Sequence, residues 1–136
     1  MKTLVLAVAF VTLLAPGCGG GSSQTPAEQA QPSAGPTIPA GAAEVDVMER
    51  DPSSLKLATS TVAHGQVAFK VTNSGPGQHD LHVQAKGSSS DVGSTPLIPG
   101  GSTQLLVVML AAGTYSVYCG VPGHRAAGME ATLTVT

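Results

Sequence analysis

The sequence predicts an all-β domain, a sandwich of about seven short strands, and three observations support this fold class. From about Ala42 onward, apolar and polar residues alternate over short runs, which is the period of a strand with one buried face. Gly, Pro, Asn and Ser turn signals separate these runs at the short intervals typical of β-sandwiches. No window of useful length shows the period of an amphipathic helix.

The predicted strands are residues 44–48, 55–59, 66–72, 81–85, 102–110, 114–119 and 131–135. In the third and fourth strands the odd-numbered positions are apolar and are expected to face the core. The fifth strand is rich in Leu and Val and is expected to be buried on both faces. Residues 86–101 are expected to form a long loop or a poorly formed edge, and Met48 and Met109 are expected in the core.

The composition is that of a folded domain that does not bind nucleic acid. Charged residues make up 10% and hydrophobic residues 42% of the chain, a balance that does not suit a disordered protein. The net charge is −2, and no basic cluster is present to follow a phosphate backbone. A chain of 136 residues allows one domain plus appendages. With two Phe, two Tyr and no Trp, the core must consist mainly of Val, Leu, Ile and Ala.

Residues 1–17 have the features of a secretory signal peptide. Lys2 precedes an apolar run at 4–15, which is shorter than the roughly 20 residues that a transmembrane helix needs. Cys18 follows small residues and precedes a Gly/Ser run, and this arrangement resembles the lipidated cysteine of bacterial lipoproteins. The resemblance implies that Cys18 becomes the lipid-bearing N-terminus, while the alternative is an ordinary signal peptide cleaved nearby.

Two further regions are predicted after the signal peptide. Residues 18–41 are dominated by Gly, Ser, Pro, Gln and Ala and contain no apolar face, so they are expected to form a flexible linker. Such a linker would hold the domain away from the membrane, although a low-complexity tail without function fits the same composition. Residues 42–136 are expected to form the folded domain.

The stretch 113–135 carries the residues with the clearest chemistry. Cys119, His124 and Met129 follow one another with four residues between neighbours, in a Gly/Pro-rich loop between two predicted strands. A thiolate, an imidazole and a thioether, with one further imidazole, form the donor set of a mononuclear copper site of the electron-transfer type. His79 stands at the end of the turn at 73–77 and is the candidate for the second imidazole. Loops at one pole of a sandwich can supply all four donors.

The segment from Ala42 to Thr136 resembles the cupredoxins, the small blue copper proteins that include plastocyanin, azurin and pseudoazurin. The matching motifs are VTNSGPGQH at 71–79, GTYSVYC at 113–119, CGVPGH at 119–124, AGM at 127–129 and TLTV at 132–135. The resemblance implies a Greek-key β-sandwich that binds one type 1 copper ion. It further implies that His79, Cys119 and His124 are the strong ligands and that Met129 is the long axial ligand.

Two positions depart from the family pattern. Many cupredoxins have Asn directly after the first His and Ser or Thr directly after the Cys, and these side chains latch the ligand loops together. Here the positions hold Asp80 and Gly120, so the chain either lacks this latch or replaces it with backbone groups. Contacts behind the ligands tune metal affinity and potential, so the redox potential does not transfer from a relative.

Other residues have structural interpretations. Cys119 is the only cysteine beyond Cys18, so it has no disulfide partner in the domain, whereas Met129 is also compatible with core packing. His82 is expected to be solvent-facing or hydrogen-bonded, not a ligand, because it points to the opposite side of a strand from position 79. His64 is expected to be exposed in a turn, and the Tyr115 hydroxyl is expected to make a structural hydrogen bond.

The expected function is one-electron transfer outside the cytoplasm, in the periplasm or on the outer face of the cytoplasmic membrane. The ligand set implies no open coordination position, so the protein is not expected to be an enzyme. A monomer held to the membrane by its lipid would exchange electrons with redox proteins such as a cytochrome, an oxidase or a reductase. The expected docking patch around His124 consists of Val121, Pro122, Ala126 and Ala127. The alternatives are a copper carrier or scavenger, and a structural or adhesion module without metal.

Overall fold

The computed structural model describes residues 36–136. The predictions for residues 1–35, namely the signal peptide, lipidation of Cys18 and most of the linker, lie outside the described residues. Residues 36–136 contain no helical segment with the length and hydrophobicity that spanning a bilayer requires.

Residues 36–136 form nine β-strands. They are β1 (Ala43–Arg50), β2 (Ser54–Leu57), β3 (Thr61–Val62), β4 (Gly65–Asn73), β5 (His82–Ala85), β6 (Asp91–Ser94), β7 (Thr103–Leu110), β8 (Gly113–Tyr118) and β9 (Glu130–Val135). One sheet has the strand order β2-β1-β4-β7 and the other β3-β9-β8-β5-β6. The pairs β1/β4 and β3/β9 are parallel, and the remaining pairs are antiparallel. The predicted all-β sandwich is therefore confirmed.

The alternating pattern of the sequence produces the core. In β1 every second side chain from Val45 to Glu49 is buried, and in β4 Val67, Phe69 and Val71 are fully buried. One apolar cluster joins Val45, Val47 and these three β4 residues to others from β5, β8 and β9, so it spans both sheets. Burying each such Val or Phe side chain contributes about 1.5–3 kcal/mol, and the cluster fixes which loops lie at the same pole of the sandwich.

Two strands lie in segments that the sequence pattern left without one. β6 lies within 86–101, where a loop or poorly formed edge was expected, and it pairs with β5 as the outermost strand of its sheet. Because its side chains are mostly exposed, it carries no apolar alternation. β3 is a two-residue pairing with β9 and is too short to show any period.

The expectations for β7, Met48 and Met109 are wrong. β7 is an edge strand, and within it Leu110 alone is fully buried, while the rest of the strand is partly or largely exposed. Met109 is 69% exposed because its neighbours Val108 and Leu110 face the interior. Met48 is 51% exposed for the same reason, since the odd-numbered positions of β1 face the core. Burial of Met48 and Met109 was predicted from their hydrophobicity, but the alternation of side chains along each strand decides which face of the sheet a residue occupies.

Candidate metal centre

His79 is held in place by backbone pairing and by burial. It lies between β4 and β5 and forms an isolated antiparallel bridge with Ile98: the N–H of each residue donates to the carbonyl of the other. Asn73, at the end of β4, donates its side-chain amide to the carbonyls of Gly77 and Ile98 and so ties the intervening turn to the same bridge. His79 itself is fully buried. This local network fixes the direction of the imidazole ring.

The loop between β8 and β9 positions three of the predicted ligands through its own backbone. Cys119 follows directly after β8, and its N–H donates to the carbonyl of Met129 at 3.0 Å. The N–H of Met129 donates in turn to the carbonyl of His124, also at 3.0 Å, and the N–H of His124 donates to Val121. Because Met129 bonds to both other residues, the loop is closed at its base and cannot separate one ligand from the others without losing these bonds.

Three donor atoms converge on one small volume. The Nδ1 atoms of His79 and His124 lie 3.2 Å apart, and the Sγ atom of Cys119 lies 3.8 Å from the first and 3.6 Å from the second. A point equidistant from three atoms at these separations is about 2.1 Å from each, which matches a metal–imidazole bond and is slightly shorter than a metal–thiolate bond. The three residues form the one such cluster found among the described residues.

The donor chemistry fits copper. Two neutral imidazole nitrogens and a thiolate in a trigonal arrangement, with a thioether beside them, are the ligands of a type 1 copper site. Met129 is fully buried directly before β9, and its backbone bonds to Cys119 and His124 place it at the base of the ligand loop, so its thioether is the candidate for that ligand. Both Cys119 and Met129 are also part of the apolar core cluster, so the sandwich itself excludes water from the sulfur side of the site.

The Cys119 thiol needs a cation in order to ionise. Burial raises its pKa to about 11, while the backbone N–H groups of Asp80 and Val121 act in the opposite direction by favouring the thiolate. At neutral pH the metal-free thiol therefore keeps its proton, and a metal ion takes the place of that proton when it binds.

Two carboxylates near the site were not identified from the sequence. Oδ1 of Asp51, in the turn after β1, lies 3.5 Å from Nε2 of His79, and Nε2 has no hydrogen-bond partner among the described residues. This separation exceeds an ordinary N–H···O hydrogen bond, so the contact is a longer electrostatic one. Asp51 follows a strand in an Asp-Pro turn, and its position gives no signal that it approaches a residue so distant in sequence.

Glu49 is the second of these carboxylates. It occupies a core-facing position of β1, is fully buried, and has no hydrogen-bond partner for either carboxylate oxygen among residues 36–136. Burial, and to a lesser extent the negative charge of Asp80, raises the pKa of Glu49 to about 8, so the group is a neutral acid at pH 7. Extending the alternation of the predicted strand 44–48 by one residue would place Glu49 on the core face, although a charged side chain is ordinarily expected at the surface.

The ligand loops are joined by a direct bond. The N–H of Gly120 donates to Oδ1 of Asp80 at 2.6 Å, which links the residue after Cys119 to the residue after His79. A backbone group thus replaces one side of the family's latch, one of the two outcomes anticipated from the sequence.

The structure also shows the surroundings of three residues that were expected to have structural roles. His82 is hydrogen-bonded, since its Nδ1 donates to Asp91, and it is not among the clustered ligands. The hydroxyl of Tyr115 donates to the carbonyl of Ala111, and His64 is exposed.

The residues predicted to dock partners lie in the same loop as His124, the one predicted ligand that is partly exposed. His124 is partly exposed, whereas His79 and Cys119 are fully buried. Pro122, Ala126 and Ala127 are exposed, and Val121 is partly buried against the core cluster.

Arg125 follows His124 in the same loop. Its guanidinium pairs with Glu130 at 2.6 Å and lies 3.8 Å from the centroid of the Tyr118 ring.

Comparisons with solved structures recover the same fold. An auracyanin from the photosynthetic bacterium Roseiflexus castenholzii matches with a TM-score of 0.60 and 19% identity, over 71% of this chain and 99% of its own. The azurin iso-2 of Methylomonas sp. strain J matches with a TM-score of 0.57 and 17% identity, over 69% and 98%. Rusticyanin from Thiobacillus ferrooxidans matches with a TM-score of 0.54 and 22% identity, over 68% and 76%.

The family assignment comes from the sequence itself. A search of curated proteins found no match. The family model of copper-binding proteins of the plastocyanin/azurin type matches residues 38–136, which includes every strand and all four predicted ligands. With the predicted donor set and a donor geometry that fits one type 1 copper ion, this match shows that the chain belongs to the plastocyanin/azurin family of copper-binding proteins, the cupredoxins.

Proposed function

We propose that this protein is a one-electron carrier that works outside the cytoplasm and is not an enzyme. The proposal rests on one observation: the Nδ1 atoms of His79 and His124 and the Sγ atom of Cys119 lie 3.2–3.8 Å from one another, close enough to share one metal ion. When bound there, copper would supply the one-electron chemistry by cycling between its singly and doubly charged states. The protein's part is to hold the donors in an arrangement that changes little between these states.

The rigidity of the donors comes from their surroundings. His79 is fixed by its bridge to Ile98, and Cys119, His124 and Met129 are fixed by the backbone bonds at the base of their loop. Burial of His79, Cys119 and Met129 limits the access of water and of a substrate to the site, which supports the proposal that no substrate binds the metal. A site that is preorganised and closed favours electron transfer over catalysis on a bound molecule, because transfer then requires little rearrangement.

Electrons would enter and leave at the His124 edge. His124 is the partly exposed ligand, and the exposed side chains next to it are small or apolar. We infer that redox proteins dock on this patch, which consists of Val121, Pro122, Ala126 and Ala127, through a small and short-lived interface. Arg125 adds one positive charge at the rim, although its pairing with Glu130 reduces the net field there.

The test of function is copper reconstitution. Purified protein is titrated with Cu(II), and the visible spectrum and a voltammogram are recorded for the wild type and for Cys119→Ser. An intense visible charge-transfer band with a reversible one-electron wave, both lost in Cys119→Ser, supports an electron carrier. Tight Cu(I) binding without a reversible wave would instead indicate copper handling, and the absence of copper binding would indicate a structural module.

The location is proposed on the sequence of residues 1–41. We infer that residues 1–17 direct export, that Cys18 carries a lipid, and that 18–41 act as a flexible spacer before the domain at 42–136. Expression of the full chain in a bacterial host followed by mass spectrometry of the mature N-terminus tests this. A diacyl modification on Cys18 of the wild type that is absent from the Cys18→Ser variant supports the lipid anchor. An unmodified N-terminus near this position indicates ordinary secretion.

A further inference from the structure

Position 120 holds a glycine because a neighbouring side chain leaves no room for a Cβ atom, and not because the backbone conformation requires glycine. Gly120 is not among the glycines with a positive φ, so its backbone does not require glycine. A Cβ atom built on it would instead collide with the ring of His82: it would lie 2.7 Å from Cδ2 and closer still to Nε2. The imidazole of His82 therefore occupies the volume that a side chain directly after Cys119 would fill.

His82 is held in that volume from three directions. Its Nδ1 donates to Oδ2 of Asp91 at 2.8 Å, and its ring stacks on Tyr118 with centroids 5.2 Å apart and an interplanar angle of 23°. The hydroxyl of Tyr118 donates to the other oxygen of Asp91 at 2.9 Å, so one carboxylate fixes both rings. On the remaining side, Nε2 of His82 lies 3.3 Å from Oδ2 of Asp80.

Asp80 connects this ring to both ligand loops. It follows His79 directly in sequence, and while Oδ2 faces His82, Oδ1 accepts the N–H of Gly120 at 2.6 Å. The N–H of Asp80 also acts to lower the pKa of the Cys119 thiol, which burial raises. A displacement of the Asp80 carboxylate would therefore move the residues that follow two of the three strong ligands.

We propose that His82 is a positioning residue that takes the place of the missing side chain at position 120 and completes, with Asp80, the latch between the two ligand loops. Its imidazole supplies both the packing volume and the polar contact that a hydroxyl residue after Cys119 would supply. The inference rests on the proposed copper site, since the latch acts by holding Cys119 and His79 at their observed separation. His82 itself does not bind the metal.

The proposal predicts a specific interaction between positions 82 and 120. His82→Ala leaves a gap beside Asp80, and we expect copper transfer to a chelator to become about tenfold faster, as is common when contacts behind a metal ligand are removed. Gly120→Ser alone forces the new side chain against the ring of His82 and is also expected to accelerate copper loss. In the double variant, the introduced hydroxyl has room and can donate to Asp80, so copper retention should return close to the wild-type value.

A metal-independent measurement separates this idea from the function on which it rests. The thermal midpoint of the copper-free protein should fall in Gly120→Ser and recover when His82→Ala is added, because the collision is steric and does not need copper. If wild-type protein fails to bind copper but this recovery is observed, the proposed function fails while the packing relationship stands. His64→Ala, which alters an exposed histidine bonded to the carbonyl of Thr136, is the control and should match the wild type.

Two results would overturn the proposal. One is additive damage in the double variant, since that would mean the two positions do not share a volume. The other comes from His82→Phe, which keeps a ring on Tyr118 but removes both nitrogens, and which also serves if His82→Ala does not fold. Copper retention equal to the wild type in this variant would show that the contact with Asp80 is not needed, whereas faster loss with a preserved thermal midpoint supports the latch.

Discussion

The carboxylate of Asp51 lies 3.5 Å from the imidazole of His79, on the side of the ring that faces away from the other ligands. Asp51 is itself anchored, because its Oδ2 accepts the N–H of Gly77 at 2.8 Å. That hydrogen bond, more than the nearby His79, holds the pKa of Asp51 below its usual range, so the group carries a negative charge at neutral pH. A fixed charge therefore stands behind a copper ligand.

Neutralising this charge should raise the copper reduction potential. A negative charge near the site stabilises the more positive oxidised state, so Asp51→Asn is expected to shift the midpoint potential upward. Voltammetry of the copper-loaded proteins measures the shift. Asp46→Asn, at a solvent-exposed ion pair with Lys70, is the matched control and should leave the potential unchanged. A potential equal to or below that of the wild type in Asp51→Asn would contradict this role.

Glu49 should make the stability of the domain depend on pH. Its pKa is about 8 in the fold against an ordinary value of 4.5, so between these values the folded state keeps a proton that the unfolded chain releases. The free energy of unfolding then falls as pH rises, by at most about 1.4 kcal/mol per unit from this group. Glu49→Gln removes this proton release, so the free energy of unfolding of the variant should depend less on pH.

Denaturant unfolding of the copper-free wild type and Glu49→Gln at about pH 5 and about pH 7.5 measures this effect. The difference between the two proteins, and not either curve alone, isolates Glu49, because every other titratable group is common to both proteins. The variant should gain stability relative to the wild type as pH rises. A difference that stays constant over the range would show that Glu49 does not retain its proton in the folded state.

The thiol of Cys119 should be inert in the metal-free protein. It is fully buried, and its pKa of about 11 leaves little thiolate at neutral pH. Alkylation by iodoacetamide, followed by mass spectrometry, is expected to be at least about a hundredfold slower than for an unfolded control, because the thiolate is the reacting form. Alkylation of the native protein at the rate of the denatured protein would mean that the ligand loop opens readily.

Charge on the docking patch should slow electron exchange without changing the copper site. Ala126→Glu and Ala127→Glu place a carboxylate on the exposed part of the loop that carries His124. A loss of about 1.4 kcal/mol in docking free energy would weaken a redox complex about tenfold, with a similar fall in the second-order transfer rate. Stopped-flow kinetics with a small cytochrome tests this, and the visible spectrum should remain that of the wild type.

Met109→Glu provides the control for the patch variants. Met109 is 69% exposed on β7 and pairs with Gln66, at the opposite end of β4 from Asn73 and the metal centre. The Met109→Glu substitution therefore adds the same charge to an apolar side chain position away from the proposed docking site. Transfer rates that fall equally in all three variants would indicate a general charge effect, and unchanged rates in the patch variants would exclude docking at this surface.

The ligand set was accessible from sequence because it depends on residue type and order. Cys119, His124 and Met129 share one short loop, and His79 ends a turn at the start of a predicted strand, so a few local features define the donors. The strands were accessible because alternation is a local property. The buried Glu49 and the exposed Met48 and Met109 show the limit, since each contradicts the burial that its hydrophobicity suggests.

The all-β class, the family and the chemistry of the four donors follow from residue types and their order along the chain. The contacts behind those donors, Asp51 against His79 and His82 in the space beside Gly120, became visible only in the folded domain. These contacts join residues about 30 to 40 positions apart, and no local period encodes such a distance. They arise when strands from both sheets pack on one core and bring their end loops to the same pole of the sandwich.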